Sequence, residues 1–158
     1  MSNPTLDRLA ARLATAPTYP PAQGFGLDLA TVWTSNGPDL DSGFTEVTGI
    51  TLLIQRLIRR LSTAHGSVVG CPNDCIDIRA YLGAGITNAD VQGIQSAIKT
   101  QLERDEAVLP GVSVVSQYNP ATRALAVKIA GSSTLGPFSM TLAVSQVTVQ
   151  LFNTSANG

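Results

Sequence analysis

The sequence is organised around the stretch from Val47 to Ile78, where an amphipathic helix ends at an abrupt turn. Its apolar residues recur at intervals of three and four, which places them on one helical stripe. They are Ile50, Leu53, Ile54, Leu57 and Leu61. Thr48 is placed to cap the start, and Gly66 to stop the chain in a left-handed conformation. The rest of the chain is therefore expected to cover this stripe.

The composition indicates a single folded domain. Hydrophobic residues make up 44% of the chain and charged residues 13%, which argues against disorder, and 158 residues suit one domain. A net charge of −1 gives no electrostatic reason to expect nucleic acid or a membrane as partner. No apolar run approaches the roughly 20 residues that span a bilayer, and we recognise no secretory signal, so we expect synthesis in the cytoplasm.

The N-terminal 23 residues are expected to form an extension outside the main domain. Residues 3–15 predict a short helix with Leu6, Leu9 and Leu13 on one stripe. Prolines and glycines from Ala16 to Gly26 predict a stiff, extended linker. The helix then docks either on a neighbouring subunit or on its own core. The main domain is expected over residues 24–153, followed by a tail at 154–158.

The segments before and after the first helix show weaker patterns, and a second helix follows them. A strand is predicted from Leu27 to Thr34 and a turn-rich loop over residues 35–42, while the state of residues 76–82 stays open. A second helix begins at Thr87, with Asp90 completing an approximate capping box. Its stripe is Val91, Ile94, Ile98 and Leu102. It ends near residues 103–106, where three carboxylates oppose the helix dipole.

From Leu109 onward the apolar period changes to two, which indicates antiparallel strands. A hairpin is predicted from residues 112–118 and 125–129, followed by a loop at 131–137. An uncharged strand then runs from Phe138 to Phe152, with a parity flip at Ser145–Gln146 that predicts a bulge. A free edge of this kind invites pairing with another chain. The expected fold is α+β, with two main helices packed on a mostly antiparallel sheet.

The candidate chemical groups favour no catalytic site. Cys71, Cys75 and His65, with Asp74 and Asp77 nearby, fall short of a typical zinc site, and two small, partly buried thiols are the simpler interpretation. Two carboxylate sets could be quoted as glycosidase pairs, but their polar context gives no reason for a raised pKa. They are Asp39, Asp41 and Glu46, and Glu103, Asp105 and Glu106. We expect no enzyme activity, no metal and no cofactor.

The order of these features resembles a known family. A Gly-Leu-Asp-Leu strand at residues 26–29 precedes a helix with Gln55 and paired arginines, and the turn Leu-Ser-Thr-Ala-His-Gly-Ser follows at 61–67. A second helix with an acidic end leads into Pro-Gly-Val-Ser-Val at 110–114. Over residues 24–152 the chain resembles the small baseplate wedge protein, or sheath initiator, of contractile-tailed phages. That family includes a type VI secretion component and is also described as lysozyme-like.

The resemblance implies a structural role in the virion, at the tail baseplate. A ring of copies would offer sheet edges to the tail sheath protein, and other faces would meet wedge scaffold and tube or hub proteins. The family's Glu-Pro-Arg motif falls at residues 106–108, where only Glu106 matches, and Arg104 is the candidate for the missing cation. These two residues are the expected wedge-core docking site.

Sheath binding by strand addition is assigned to residues of the uncharged C-terminal stretch. They are Phe138, Met140, Thr141, Leu142, Val144, Val147, Val149 and Leu151. Two alternative functions remain at this stage. One is a peptidoglycan-degrading baseplate lysozyme, and the other is a different tail structural protein, such as a terminator or adaptor.

Overall fold

The computed structural model describes residues 26–34, 37–69, 73–82, 86–145 and 149–155. The fold is α+β, as the sequence predicts. The strands are β1 (Asp28–Leu29), β2 (Thr31–Thr34), β3 (Gly37–Leu40), β4 (Glu46–Val47), β5 (Ser113–Asn119), β6 (Ala124–Ser133), β7 (Gly136–Val144) and β8 (Val149–Ser155). The helices are α1 (Gly49–Ser62), α2 (Arg79–Leu82) and α3 (Asn88–Leu102). The predicted extension at residues 1–23, with Cys71 and Val147, lies outside the described residues.

Helix α1 forms the centre of the core, because its apolar stripe is buried along the whole length. Leu53, Leu57 and Leu61 are fully buried, and each such leucine contributes about 1.5–3 kcal/mol relative to an exposed one. Thr48 occupies the N-cap position in an extended conformation, but its side chain makes no capping hydrogen bond. Gly66 has a φ of +77°, the left-handed conformation expected of it.

A later segment of the chain, residues 76–79, caps the C-terminus of α1. The amides of Ile76 and Ile78 donate to the carbonyls of Arg60 and Leu61 at 2.9 and 3.1 Å. The Arg79 guanidinium donates to the Ser62 carbonyl at 3.1 Å. These contacts satisfy carbonyls that a helix end otherwise leaves without partners. Residues 79–82, whose state the sequence leaves open, form the short helix α2.

Helix α3 starts and ends where the sequence predicts. The Thr87 side chain accepts from the Asp90 amide, and the Asp90 carboxylate accepts from the Thr87 amide, so the capping box is complete. Ile94, Ile98 and Leu102 are buried in the same core as α1. The helix packs beside α1 and along β5, and this places its acidic end close to α1.

The main sheet is antiparallel with strand order β5-β6-β7-β8. Burial alternates along β6 and β7, so one face packs on the helices. The buried side chains of these two strands include Leu125, Val127, Ile129, Phe138, Met140, Leu142 and Val144. This alternation confirms the predicted two-residue period, because successive side chains of a strand point to opposite faces.

Two predicted loops are shorter than expected. Residues 37–40 form β3 and pair with β2, with Leu40 opposite Thr31. The loop predicted at 131–137 is reduced to a turn, since Ser133 pairs with Gly136. Pro38 is tolerated because β3 pairs with β2 on one side, and proline fits a strand whose other edge pairs with no described strand.

The uncharged stretch predicted as one bulged strand is two strands. Strand β7 ends at Val144, which pairs with Val149 of the antiparallel strand β8. Chain reversal between the two strands therefore explains the parity flip, and the predicted bulge at Ser145–Gln146 is wrong. The register shift lies further along, because Thr141 pairs with Asn153 and Leu142 with Leu151. Strand β8 also runs into the tail predicted from residue 154.

Strands β1 to β4 together form one irregular hairpin, residues 28–47. The Ala30 amide donates to the Thr45 carbonyl at 2.7 Å, and the Ala30 carbonyl accepts from the Asp41 amide at 2.9 Å. The residues between Asp41 and Thr45 therefore bulge out of the pairing. The Asp41 carboxylate stabilises the bulge by accepting from the Thr45 hydroxyl at 2.6 Å. Phe44 within it has a φ of +49°.

Candidate assembly interface

Five of the eight residues assigned to sheath binding lie on an inner strand. Strand β7 pairs with β6 on one side and with β8 on the other, so neither of its edges is open to a further strand. Phe138, Met140, Leu142 and Val144 are also buried against the helices. Thr141 is half-buried and points to the opposite face. These five residues support β8 from behind and do not offer an edge themselves.

The edge of the main sheet on this side belongs to β8. Among the described residues, no strand pairs with its outer edge, although β2 passes close by. Val149 is buried, Leu151 is half-buried against the core, and Val147 falls in the gap before β8. In an antiparallel strand, alternate residues direct their N–H and C=O groups away from the paired neighbour. Strand β8 therefore carries a row of main-chain groups that another strand can bond.

The outward face of the sheet is weakly charged. On β5 to β7 its charge comes from Lys128, with Val115 58% exposed. The other exposed positions include Ser113, Gln117, Ala126 and Ala130. The far edge at β5 differs from β8 because α3 lies against it, and Gln95 Nε2 donates to the Ser116 carbonyl at 3.5 Å. The two ends of the sheet therefore present different environments to a partner.

One carboxylate at the acidic end of α3, that of Asp105, is neutralised within the domain. Asp105 is buried, and its carboxylate pairs with the guanidinium groups of Arg56 and Arg60, the second at 3.8 Å. Asp105 Oδ1 also accepts from the Ala107 amide at 3.0 Å. This cluster was not predicted from the sequence. Its signal was the spacing of the two arginines, four apart and so on one side of α1, opposite the acidic end of a second helix.

The two residues predicted to dock on the wedge core have different environments. The Arg104 guanidinium donates to the Asn73 carbonyl, which also accepts from Gln101 Nε2 at 3.3 Å. Arg104 therefore holds the preceding loop to α3, while Glu106 is exposed. Glu103 Oε1 accepts from the Gly111 amide at 2.9 Å. Of the three carboxylates in this cluster, Asp105 is buried, Glu103 is half-buried and Glu106 is exposed.

A polar clamp joins the N-terminal hairpin to α1. Gln55 is buried and donates to the Leu29 carbonyl at 2.8 Å, while its Oε1 accepts from the Thr31 amide at 2.8 Å. Arg59 donates to the Asp28 carboxylate and to the Thr31 hydroxyl. Burial opposes ionisation of Asp28, but hydrogen bonds from the Leu29 amide and Arg59 outweigh it and lower the pKa of this carboxyl. The clamp positions β2 beside β8.

The other chemical candidates remain dispersed. His65 Nδ1 lies 3.2 Å from the Cys75 carbonyl, and the described ranges contain no group of three metal-binding side chains. The Thr45 hydroxyl lowers the pKa of Asp41, whereas a glycosidase acid needs a raised pKa. A cleft of about 420 Å³ lies at the β5–β6 turn, between Gln117 and Ala143. Its lining residues contain no carboxylate, imidazole or thiol.

Comparison with known proteins gives no relative for this arrangement. No family model, no curated protein and no solved structure matches the chain. Within the described segments, none of the helices is long and apolar enough to span a membrane. Any assignment of function therefore depends on the sequence resemblance, the edge at β8 and the surfaces around it.

Proposed function

We propose that the protein is a non-enzymatic baseplate component of a contractile tail, which docks on the wedge core and templates sheath assembly by strand addition. The observation that carries the proposal is the outer edge of β8, which no described strand pairs. Strand β8 begins within a stretch that has no charged residue, from Phe138 to Phe152. The resemblance to the sheath-initiator family supplies the kind of partner, an extended arm of the sheath protein.

Strand addition suits this edge physically. An incoming strand gains main-chain hydrogen bonds, each with a net contribution of about 0.5–1.5 kcal/mol, and a row of them gives both affinity and direction. Exposed edges of natural sheets usually carry charges or prolines that prevent such pairing. Strand β8 carries neither. The edge is therefore suited to a partner that arrives during assembly.

Docking on the wedge core is assigned to the end of α3. Glu106 is the exposed acidic group there, and Arg104 fixes the loop beside it through the Asn73 carbonyl. In this proposal Glu106 meets a basic group of the scaffold, and Arg104 acts by keeping the surrounding surface in shape. Glu106→Lys should weaken docking on the scaffold while the free domain stays folded.

Proline substitution in β8 tests the strand-addition site. Gln150 and Leu151 are adjacent, so the amide of one points toward β7 and that of the other points outward. Proline removes an amide hydrogen. One of Gln150→Pro and Leu151→Pro should therefore lower the melting temperature, and the other should leave it nearly unchanged while abolishing sheath assembly on complemented baseplates.

Electron microscopy of tails assembled with each variant gives the readout. Baseplates that carry tubes without sheath are expected for the folded edge variant, and normal sheath on both variants would contradict the proposal. Where both prolines unfold the domain, Gln150→Lys supplies the same test with an intact main chain. Release of soluble peptidoglycan fragments by the purified protein would overturn the non-enzymatic assignment.

A further inference from the structure

The N-terminal hairpin exposes an unusual number of large apolar side chains. Leu27, Leu40 and Phe44 are 42%, 49% and 61% exposed, and Val32 is 43% exposed. Large apolar side chains grouped on a small surface commonly mark a contact site. We call Leu27, Leu40 and Phe44, with the acidic residues beside them, the hairpin surface.

The hairpin that carries these side chains is also acidic. Its carboxylates are Asp28, Asp39, Asp41 and Glu46, and the sequence has no lysine or arginine between Arg12 and Arg56. In the part of the chain that the structure describes, Asp28 pairs with Arg59, and the other three have no cationic partner. A ligand that fits this surface therefore combines apolar side chains with positive charge.

The segment at residues 3–15 has this combination. Its predicted apolar stripe is Leu6, Leu9 and Leu13, and it is flanked by Arg8 and Arg12. With Asp7 as its single carboxylate, the segment has a net charge of +1 from side chains, opposite to the hairpin. A helix of this length is marginal alone and needs a surface to stabilise it.

The predicted length of the linker favours docking on a neighbouring copy. Residues 16–25 include Pro17, Pro20 and Pro21. Proline-rich chain extends by about 3.1 Å per residue, so ten residues carry the segment about 30 Å from Gly26. A domain of roughly 130 residues has a radius of gyration of about 14 Å. The sequence therefore predicts a linker long enough for the segment to reach a neighbouring copy.

We propose that residues 3–15 of one copy dock on the hairpin surface of a second copy. Each copy binds the next copy through its residues 3–15 and is bound by another copy at its hairpin surface. This arrangement is a head-to-tail contact. Contacts of this kind close into rings or continue as chains. The contact does not depend on the proposed role in sheath assembly, because it involves only copies of this chain.

Photo-crosslinking of the full chain tests the contact. Phe44 is replaced by p-benzoyl-phenylalanine, which keeps an aromatic ring at this exposed position, and isotopically heavy and light chains are mixed. Illumination should give a covalent dimer in which Phe44 of one chain is joined to residues 3–15 of the other. Cross-links confined to one chain, cross-links to another region, or no cross-link would each overturn the proposal.

Two variants with one control give a quantitative form of the test. Leu9→Asp removes an apolar contact from the stripe, and Phe44→Asn removes one from the hairpin, where asparagine suits the positive φ. Each should weaken self-association, measured by analytical ultracentrifugation, at least about tenfold. Ala11→Asp adds the same charge on the opposite side of the predicted helix and should change it less than about threefold. Equal effects of Leu9→Asp and Ala11→Asp would contradict specific docking.

Discussion

Replacing Asp105 by asparagine should destabilise the domain more than any other single charge change near α3. The carboxylate is buried between two arginines of α1, with 2% of its side chain exposed. Asparagine keeps the shape and can still accept from the Ala107 amide, but it removes the negative charge. Arg56 and Arg60 would then lose the carboxylate that they share.

The expected cost follows from the burial of the partners. Breaking a buried ion pair by removing one partner costs about 3–5 kcal/mol. The Arg56 side chain is 34% exposed and Arg60 is 16% exposed, so solvent screens part of the loss and about 3 kcal/mol is the better value. For a domain of this size, that corresponds to a fall in melting temperature of about 9 °C.

Thermal and urea unfolding followed by circular dichroism measure the change. Glu106→Gln is the matched control, since the neighbouring carboxylate is exposed and its loss should stay within about 0.5 kcal/mol. A second variant, Arg60→Met, alone and combined with Asp105→Asn, closes a double-mutant cycle that isolates the pair. A cost for Asp105→Asn no larger than that of Glu106→Gln would refute the reasoning.

Three further predictions concern the caps, the core and acid stability. Thr87→Ala should lower stability by about 1 kcal/mol in urea unfolding, because it removes the N-cap of α3, whereas Thr100→Ala within the same helix should be neutral or stabilising. Leu57→Ala should cost about 2–5 kcal/mol by the same measurement, because it leaves a cavity under the sheet. Burial opposes ionisation of Asp77, but hydrogen bonds from Arg79 outweigh it and lower the pKa of this carboxyl below its ordinary 3.8. The ionised Asp77 therefore stabilises the domain above pH 3.8, and this stabilisation is lost as the pH falls through the lowered pKa of the folded state. An acid titration of stability should therefore be flatter for Asp77→Asn than for the parent protein.

The sequence was most informative where one element determines its own pattern. The stripes of α1 and α3, the capping box at Thr87 and the alternation of β6 depend on local spacing, and local spacing is visible in the sequence. The division of residues 138–152 into two strands was not visible, because a chain reversal and a bulge both shift the parity by one residue.

Features formed between distant elements were harder to predict. The pairing of β2 with β3 outweighs the weak strand preference of residues 37–40, and the carboxylate of Asp105 meets arginines about fifty positions earlier in the chain. For the same reason, the strand that forms the free edge of the described sheet is β8, whereas most of the residues predicted for it lie on β7. An uncharged stretch could be recognised as a pairing surface, but only the strand order identifies β8 as the edge and β7 as its support.

The segment that follows α1 and returns to its C-terminus is also useful as an insertion site. Because Ser62 and Asp77 are bridged through the main chain, the segment between them begins and ends at one place on the domain, and its Asn73 carbonyl is also held to α3. Lengthening such an excursion adds little closure entropy, since that cost grows only with the logarithm of length. Val69, which is fully exposed, is therefore a suitable point to insert an epitope or a fluorescent label without disturbing the packed helices.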